Sequence, residues 1–443
     1  MSKITLMNEQ DVLMYSSIVA NAYPGMQYTT PEGRAKLQTR MLRIHHEDDI
    51  SGYYKLSRDG QMLGGMRLLD FTVNVFGTMV KAGGLGTVAV DLLHKKEKVA
   101  YELVSGFLHH YKEKGACLAL LYPFRHDFYK QMGFGYGTKS NHYSIRPSDL
   151  PDGEKTHLTY LTPEQIGELR DCYDRVAQRT HGMIAKSDFD LSATAENPEH
   201  IYVGYRPDGK LRGYLIMAFR SGSPVNPFTN HLHVKEMIYE TSQALRALLA
   251  FLRSQADQVQ RIIYQTQDES FHHLLKNPRN DTEDMYQFVT VESNVQGVGL
   301  MYRVIDTKKL FGELSGHRFG GNGLGCGQSF NNSQPLGDTP AMTSPAESTL
   351  KLKLTIRDSF LPENDGSTIV HFTDGYARVV TDTGEYDVEI GMDIAEFSSM
   401  IMGVVPFRQL VRYGMATISD ERYVEWVNRL FAAEEKPWCN TPF

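Results

Sequence analysis

The chain has 443 residues, with 46 Lys and Arg against 53 Asp and Glu and a net charge of −7. That length implies more than one domain, and the acidic balance argues against a nucleic-acid partner. No stretch approaches the roughly 18 apolar residues of a membrane span. The N-terminus lacks an apolar signal core, and Cys117, Cys172, Cys326 and Cys439 show no metal-ligand spacing. The expectation is a reduced, cytoplasmic protein with no metal and no membrane partner.

Taken in chain order, "MNEQDVLMYSSIVANAY" reads as a helix with Val12, Leu13, Tyr15, Ile18 and Val19 on its apolar face. Alternating apolar runs from Ile50 to Val90 read as an antiparallel meander broken at Asp59-Gly60, Phe76-Gly77 and Gly83-Gly84. A helix over Lys95–Lys114 follows, with Val99, Leu103, Phe107 and Tyr111 at i, i+4 spacing. "ACLALLY" is a short buried strand, "DFYKQMGFG" a short helix ending at a Gly-Phe-Gly turn, and "NHYSIRP" a strand that closes the first unit near Leu150.

After the linker "PSDLPDGEK" the order helix, hairpin, strand, helix, strand recurs, with the hairpin turned at Pro207-Asp208-Gly209. The second copy has almost no loop between "EMIYE" and its helix, so it lacks a grip for a pyrophosphate. A third unit starts near Met301. Phe311–Ser348 reads as a long Gly-, Ser- and Asn-rich loop. Beyond it lie the strands "LKLTIRDSF" and "STIVHFTDGYARVV", the strand and helix in "EIGMDIAEFSSMIMG", the helix "YVEWVNRLFA" and an aromatic tail ending at Phe443.

Strand "TVAV", a basic loop and a helix N-terminus, in that order, suit a nucleotide thioester: backbone N–H groups and the helix end face the phosphates. The first unit resembles the GNAT acyltransferase fold, and the whole chain resembles the enhanced-intracellular-survival (Eis) family of bacterial N-acetyltransferases. Val88-Ala89-Val90 with the loop and helix behind them, "FYKQMGFGYG", "EIGMDIAEFSSMIMG" and the terminal Phe443 carry the resemblance. It implies an α/β (α+β) fold of two tandem GNAT-like mixed-sheet domains, residues 1–150 and 151–300, the second without cofactor. A sterol-carrier-protein-like α+β domain, residues 301–443, would follow and return its C-terminus to the active site.

The same resemblance implies acetyl-CoA as co-substrate. Val88, Ala89 and Val90 match the strand edge that meets pantetheine, and Lys95, Lys96, Glu97, Lys98, Val99, Ala100 and Tyr101 match the pyrophosphate loop. Lys98 stands where the family pattern has glycine. Tyr129 matches a general acid for the leaving thiolate, and the α-carboxylate of Phe443 matches the general base. Tyr23, Tyr28 and Glu32 match the lining of an amine pocket. The implied reaction is direct N-acetylation of a cationic small molecule of aminoglycoside type, or of lysine side chains, by a homohexamer. A second reading is a catalytically impaired GNAT-derived ligand-binding protein, motivated by Lys98 and the long loop.

Overall fold

A computed structural model describes residues 3–280, 282, 285–286, 289–320, 349–380, 384–439 and 441–443. The chain divides into two compact units. One comprises Met1–Gly137, Leu300–Pro437 and Phe443; the other comprises Thr138–Gly299 and Trp438–Pro442.

The first unit begins with β1 (Lys3–Leu6), α1 (Glu9–Ala22), α2 (Pro31–Glu47), β2 (Ser51–Arg58), β3 (Gln61–Val75), β4 (Thr78–Val90), α3 (Val99–Glu113), β5 (Leu118–Leu121), α4 (His126–Lys130) and β6 (Gly135–Tyr136). Asn8 and Asp11 form a capping box at the start of α1. Asp59 and Gly60 both take left-handed backbone angles, φ 51° and 82°, as the tight turn between β2 and β3 requires. The expected break at Gly83-Gly84 does not occur: β4 runs straight through it. A Cβ on Gly83 would collide with the Tyr111 ring and one on Gly84 with the Phe71 ring, so these glycines admit aromatic cover rather than turn the chain.

α3 packs Leu103, Val104, Phe107 and Tyr111 into the core under Leu68 and Leu85. It starts at Val99 rather than Lys95, which leaves Lys95–Lys98 as a loop in front of the helix. Helix α2 is absent from the sequence reading. Its apolar positions are sparse: only Leu37, Met41 and Ile44 are buried.

The second unit holds β7 (Lys139–Ile145), β8 (Leu158–Leu161), α5 (Ile166–Ala177), α6 (Asp188–Ala195), β9 (Ile201–Tyr205), β10 (Gly213–Ser221), β11 (Asn230–Tyr239), α7 (Ser242–Arg253), β12 (Val259–Thr266), a small ribbon of β13 (Met285–Tyr286) and β14 (Thr290–Val291), and β15 (Val295–Val298). Its seven-stranded sheet runs β15-β7-β12-β11-β10-β9-β8. The "NHYSIRP" strand therefore belongs here: β7 pairs with β12 from Ile145↔Ile262 to Asn141↔Thr266.

The chain then returns to the first unit with β16 (Met301–Val304), α8 (Thr307–Glu313), β17 (Thr349–Arg357), β18 (Gly366–Thr373), β19 (Tyr376–Val380), β20 (Val388–Asp393), α9 (Ile394–Ile401), α10 (Phe407–Arg412), β21 (Ala416–Ile418) and α11 (Val424–Leu430). β16 inserts into the first sheet between β5 and β6, giving the order β1-β2-β3-β4-β5-β16-β6. A separate five-stranded sheet runs β19-β18-β17-β20-β21. The stretch expected as a loop from Phe311 is helical to Glu313, and Phe311 and Phe319 are buried. The remainder of that expected loop, residues 321–348 with Cys326, lies outside the described residues.

Two motifs noted in the sequence meet in space. A Cβ on Gly135 would run into the Ala395 carbonyl and the Ser399 hydroxyl, so α9 lies directly on the backbone of β6. Ser399 donates to the Tyr136 carbonyl at 2.9 Å, and the Val304 N–H donates to the Ser398 hydroxyl at 2.9 Å. Lys130 pairs with Glu396 at 2.6 Å. Beside them, Arg303 and Asp358 form an ion pair at 2.8 Å in which both side chains are fully buried.

Candidate functional site

β4 and β5 run parallel only from Ala82↔Leu118 to Leu85↔Leu121. β5 stops there, and β4 continues to Val90 with β3 on its other side, Gly65 opposite Ala89 and Gly64 opposite Val90. Among the described residues the β5-facing edge of Gly86–Val90 thus has no strand beside it, the condition for an extended ligand to pair there. Between Gly65 and Arg67 the register shifts, and Thr87 on β4 takes φ 46°, a left-handed angle that is unusual for a β-branched residue. The bulge turns the carbonyls of Thr87 and Val88 toward α1, where the Tyr15 hydroxyl donates to Thr87 and the Tyr23 hydroxyl donates to Val88 at 2.7 Å.

Below this edge lies a cavity of about 350 Å³, a size suited to a small molecule. Gly86, Thr87, Val88, Tyr23, Tyr28, Tyr129 and Phe443 all line it. Glu32 does not: it is exposed in the first turn of α2. Tyr129 is 4% exposed, held between Phe128 and Phe134 by edge-on ring contacts. Its hydroxyl has no hydrogen-bond partner among the described residues. Burial first, and the neighbouring Tyr23 second, push its pKa well above the ordinary phenol value, so it stays protonated at neutral pH. Burial likewise lifts Tyr23 to about 12.

The chain end lies at the mouth of the split. A Cβ on Gly86 would stand 3.5 Å from the Phe443 carboxyl carbon, an ordinary contact distance, so the terminus lies directly against the open edge of β4. The Phe443 ring is edge-on to Phe71 at 4.8 Å and tilted against Tyr122 at 5.1 Å. Such ring pairs contribute about 0.5–1.5 kcal/mol each beyond the area they bury.

The candidate phosphate loop is open and basic. Lys95, Lys96 and Lys98 are exposed, and Lys96 and Lys98 both take left-handed angles, φ 68° and 61°. Lys98 is the N-cap of α3 and offers no side-chain cap, so the first amides of this 15-residue helix are left for another acceptor. Glu97 does not face that acceptor position freely: its carboxylate meets His94 at 3.2 Å and Arg58 at 3.5 Å. Of the remaining loop residues, Val99 packs in the core, Ala100 is half-buried in the first turn, and the Tyr101 ring packs on Phe360 at 4.5 Å. The open β4 edge, the uncapped helix and the lysines fit a pantetheine and pyrophosphate.

The second unit lacks this set. Only Glu240 and Thr241 separate β11 from α7. Thr241 caps the helix by accepting from the Ala244 N–H at 3.2 Å, and Glu240 pairs with Arg175 and Arg212. With Thr241 capping this helix end and no extended loop before it, the second unit offers no opening comparable to that in front of α3.

Sequence reasoning missed the cavity's cations. Arg40 from α2 and Arg67 from β3 both line it. Arg67 is buried and neutralised by Asp48, and it donates to the Ser51 hydroxyl at 2.9 Å. Arg40 has no ion pair or hydrogen bond among the described residues. Its spacing from Leu37, Met41 and Ile44 was the available signal.

Cys117 is buried, and burial raises its thiol to about 12, so it is no nucleophile at neutral pH. Among the described residues no group of three or more His, Cys, Asp or Glu could hold a metal. No helix among them is long and apolar enough to cross a membrane.

Family models for an acetyltransferase (GNAT) domain match residues 3–137 and, in a second version, residues 177–304; a sterol carrier protein domain model matches residues 339–440. No curated protein matches the sequence. Among solved structures, a GCN5-related N-acetyltransferase from Anabaena variabilis is similar with a TM-score of 0.78 at 17% identity over 100% of both chains. A probable N-acyltransferase from Enterococcus faecalis is similar with a TM-score of 0.74 at 17% identity, and Eis1 from Mycobacterium abscessus with 0.71 at 17%, each over 100% of both chains. At that identity the likeness is one of fold along the whole chain.

Proposed function

We propose that this protein, whose two GNAT domains and sterol carrier domain give it the Eis-family architecture, is an acetyl-CoA-dependent N-acetyltransferase acting through its first GNAT domain. The observation that carries the reading is the convergence of the open β4 edge, Tyr129 and the Phe443 carboxylate on one cavity. Acetyl-CoA supplies an acetyl group as a thioester.

The chain's residues divide the remaining work. The backbone of Gly86–Val90 aligns the pantetheine, and the first amides of α3 with Lys95, Lys96 and Lys98 hold the pyrophosphate. The Phe443 carboxylate draws in the acceptor ammonium and takes one proton, directly or through water. The freed amine attacks the acetyl carbonyl, and Tyr129 gives its proton to the departing sulfur. The attacking nitrogen sheds its second proton to solvent, Tyr129 regains one from solvent and the Phe443 carboxyl releases the one it took, so one amide, one thiol and one released proton balance the reaction. Transfer is direct, because the protonated Cys117 offers no acyl acceptor.

The polycationic acceptor implied by resemblance is less well supported, since no Asp or Glu side chain among the described residues lines the cavity. A homo-oligomer is proposed on resemblance alone, and light scattering measures it. Purified full-length chain, acetyl-CoA and a panel of primary amines test the activity by thiol release. A thermal shift with CoA but no thiol release from any amine would favour the binding-protein reading instead.

A further inference from the structure

The charges around the cavity identify the acceptor more closely, on the premise that the chain transfers acetyl groups. Among the described residues three ionic groups line it: the Phe443 carboxylate, Arg67 and Arg40. Arg67 is cancelled by Asp48 and tied to Ser51. What remains is one anion at the β4 split and one cation, Arg40, on α2. Arg40 lacks an ion pair among the described residues although Lys36 lies one turn before it. Like charges at that spacing weaken a helix by about 0.2–0.5 kcal/mol. Lys36, Arg40 and Arg43 together line a shallow surface depression continuing outward from Arg40, and of the three only Arg43 has a carboxylate partner on α2, Glu47 at 2.7 Å. Arg40 acts inward as well: its charge opposes the burial that raises the Tyr53 phenol in the cavity wall.

We infer that the acceptor is a small amino-carboxylate, with its ammonium at the Phe443 carboxylate, its own carboxylate at the Arg40 guanidinium, and an apolar body between them against Met41 and Phe124. A guanidinium presents a planar fork that matches a carboxylate. A hydrogen bond to a charged group contributes about 1.5–3 kcal/mol, roughly a tenfold or greater preference. A polycation meets the opposite situation: its second ammonium would approach Arg40 with no carboxylate side chain among the described residues of the wall.

The test compares three acceptors with the full-length enzyme and acetyl-CoA: phenylalanine, phenylalaninamide and a polycationic aminoglycoside. The expected result is that phenylalanine has about tenfold higher kcat/KM than its amide, with the aminoglycoside slowest. Arg40→Gln should bring the acid-to-amide ratio close to unity by raising the KM for phenylalanine, while the KM for acetyl-CoA stays in place. Arg40→Glu should invert the preference. Because Arg40 is exposed, the variants fold, and an unchanged melting temperature verifies it. Equal rates for acid and amide, a faster aminoglycoside, or a ratio untouched by Arg40→Gln overturns this assignment alone. Thiol release from none of the amines overturns the acetyl-transfer reading with it.

Discussion

The Tyr23 hydroxyl donates a 2.7 Å hydrogen bond to the carbonyl of Val88, joining the end of α1 to the strand edge where the first sheet splits. With Tyr15 bound in the same way to Thr87, two phenols hold the bulge whose left-handed Thr87 no ordinary strand would keep. Tyr23→Phe leaves that carbonyl without its donor. We expect a loss of about 1–2 kcal/mol in denaturant unfolding and a several-fold rise in the KM for acetyl-CoA. An unchanged KM would show that the bulge holds without Tyr23.

Tyr129→Phe should reduce kcat by about 100-fold or more, with the KM for acetyl-CoA within about twofold. The pH dependence follows from the direction of its shift. Burial raises the native pKa above the ordinary value of about 10, so the acid form persists beyond pH 10 and the rate should show no alkaline fall due to Tyr129 below that pH. Stability behaves in the linked sense. Tyr15, Tyr23 and Tyr129 all hold their protons more tightly when folded. Their contribution is complete below pH of about 10 and is lost as pH climbs past it, for Tyr23 through about 12. Urea midpoints measured from pH 8 to 11 check this.

Phe443 offers a carboxylate beside Gly86 and a ring against Phe71 and Tyr122, which substitution can separate. Appending a few residues moves the carboxylate away and should lower kcat by about 100-fold. Phe443→Ala keeps the carboxylate but loses the ring contacts with Phe71 and Tyr122. We expect a smaller loss there, with the acceptor KM rising as the terminus loses its fixed position. Full activity in the extended chain would remove the carboxylate from the mechanism.

Lys98 holds a left-handed backbone at φ 61°, which costs a non-glycine residue about 1–2 kcal/mol. Lys98→Gly should raise stability by up to about 1 kcal/mol, read by calorimetry, after the unfolded chain's added freedom is subtracted. The KM for acetyl-CoA should change by less than about threefold, because Lys95 and Lys96 keep most of the positive charge. Lys98→Ala retains the strain and should bring no gain.

Arg303 and Asp358 make the opposite case, a pair that tolerates only joint replacement. Asp358→Asn leaves a fully buried guanidinium uncompensated, at a cost of about 3–5 kcal/mol. Arg303→Met with Asp358→Leu should recover most of that loss in denaturant titrations.

Much of this arrangement can be read from residue patterns. Asp59-Gly60 declares a hairpin because few other pairs accept two left-handed angles. The i, i+4 ladder from Val99 to Tyr111 declares one buried helix face. The three mixed sheets follow from such signals. Other features are silent for physical reasons. Alternation shows that Lys139–Ile145 and Met301–Val304 are strands, but it does not say which sheet each joins, since partner choice depends on contacts distant in sequence. Gly83-Gly84 looks like a turn because a sequence does not display the rings above it. α2 hides because most of its surface is polar, and Arg40 stays hidden with it. Tyr23, Tyr28, Tyr129 and Phe443, legible as candidates in the sequence, line one cavity; Glu32 is exposed and does not line it.

The placement of β16 between β5 and β6 bears on how the enzyme is born. A ribosome finishes β5 long before it reaches Met301, so a nascent chain of 150 residues carries β5 with a naked flank. The first sheet can close only after the entire intervening unit has been synthesised. Folding from the N-terminus outward, the usual sequence for multidomain chains, is therefore unavailable to this catalytic layer, and truncation anywhere before Val304 leaves it open.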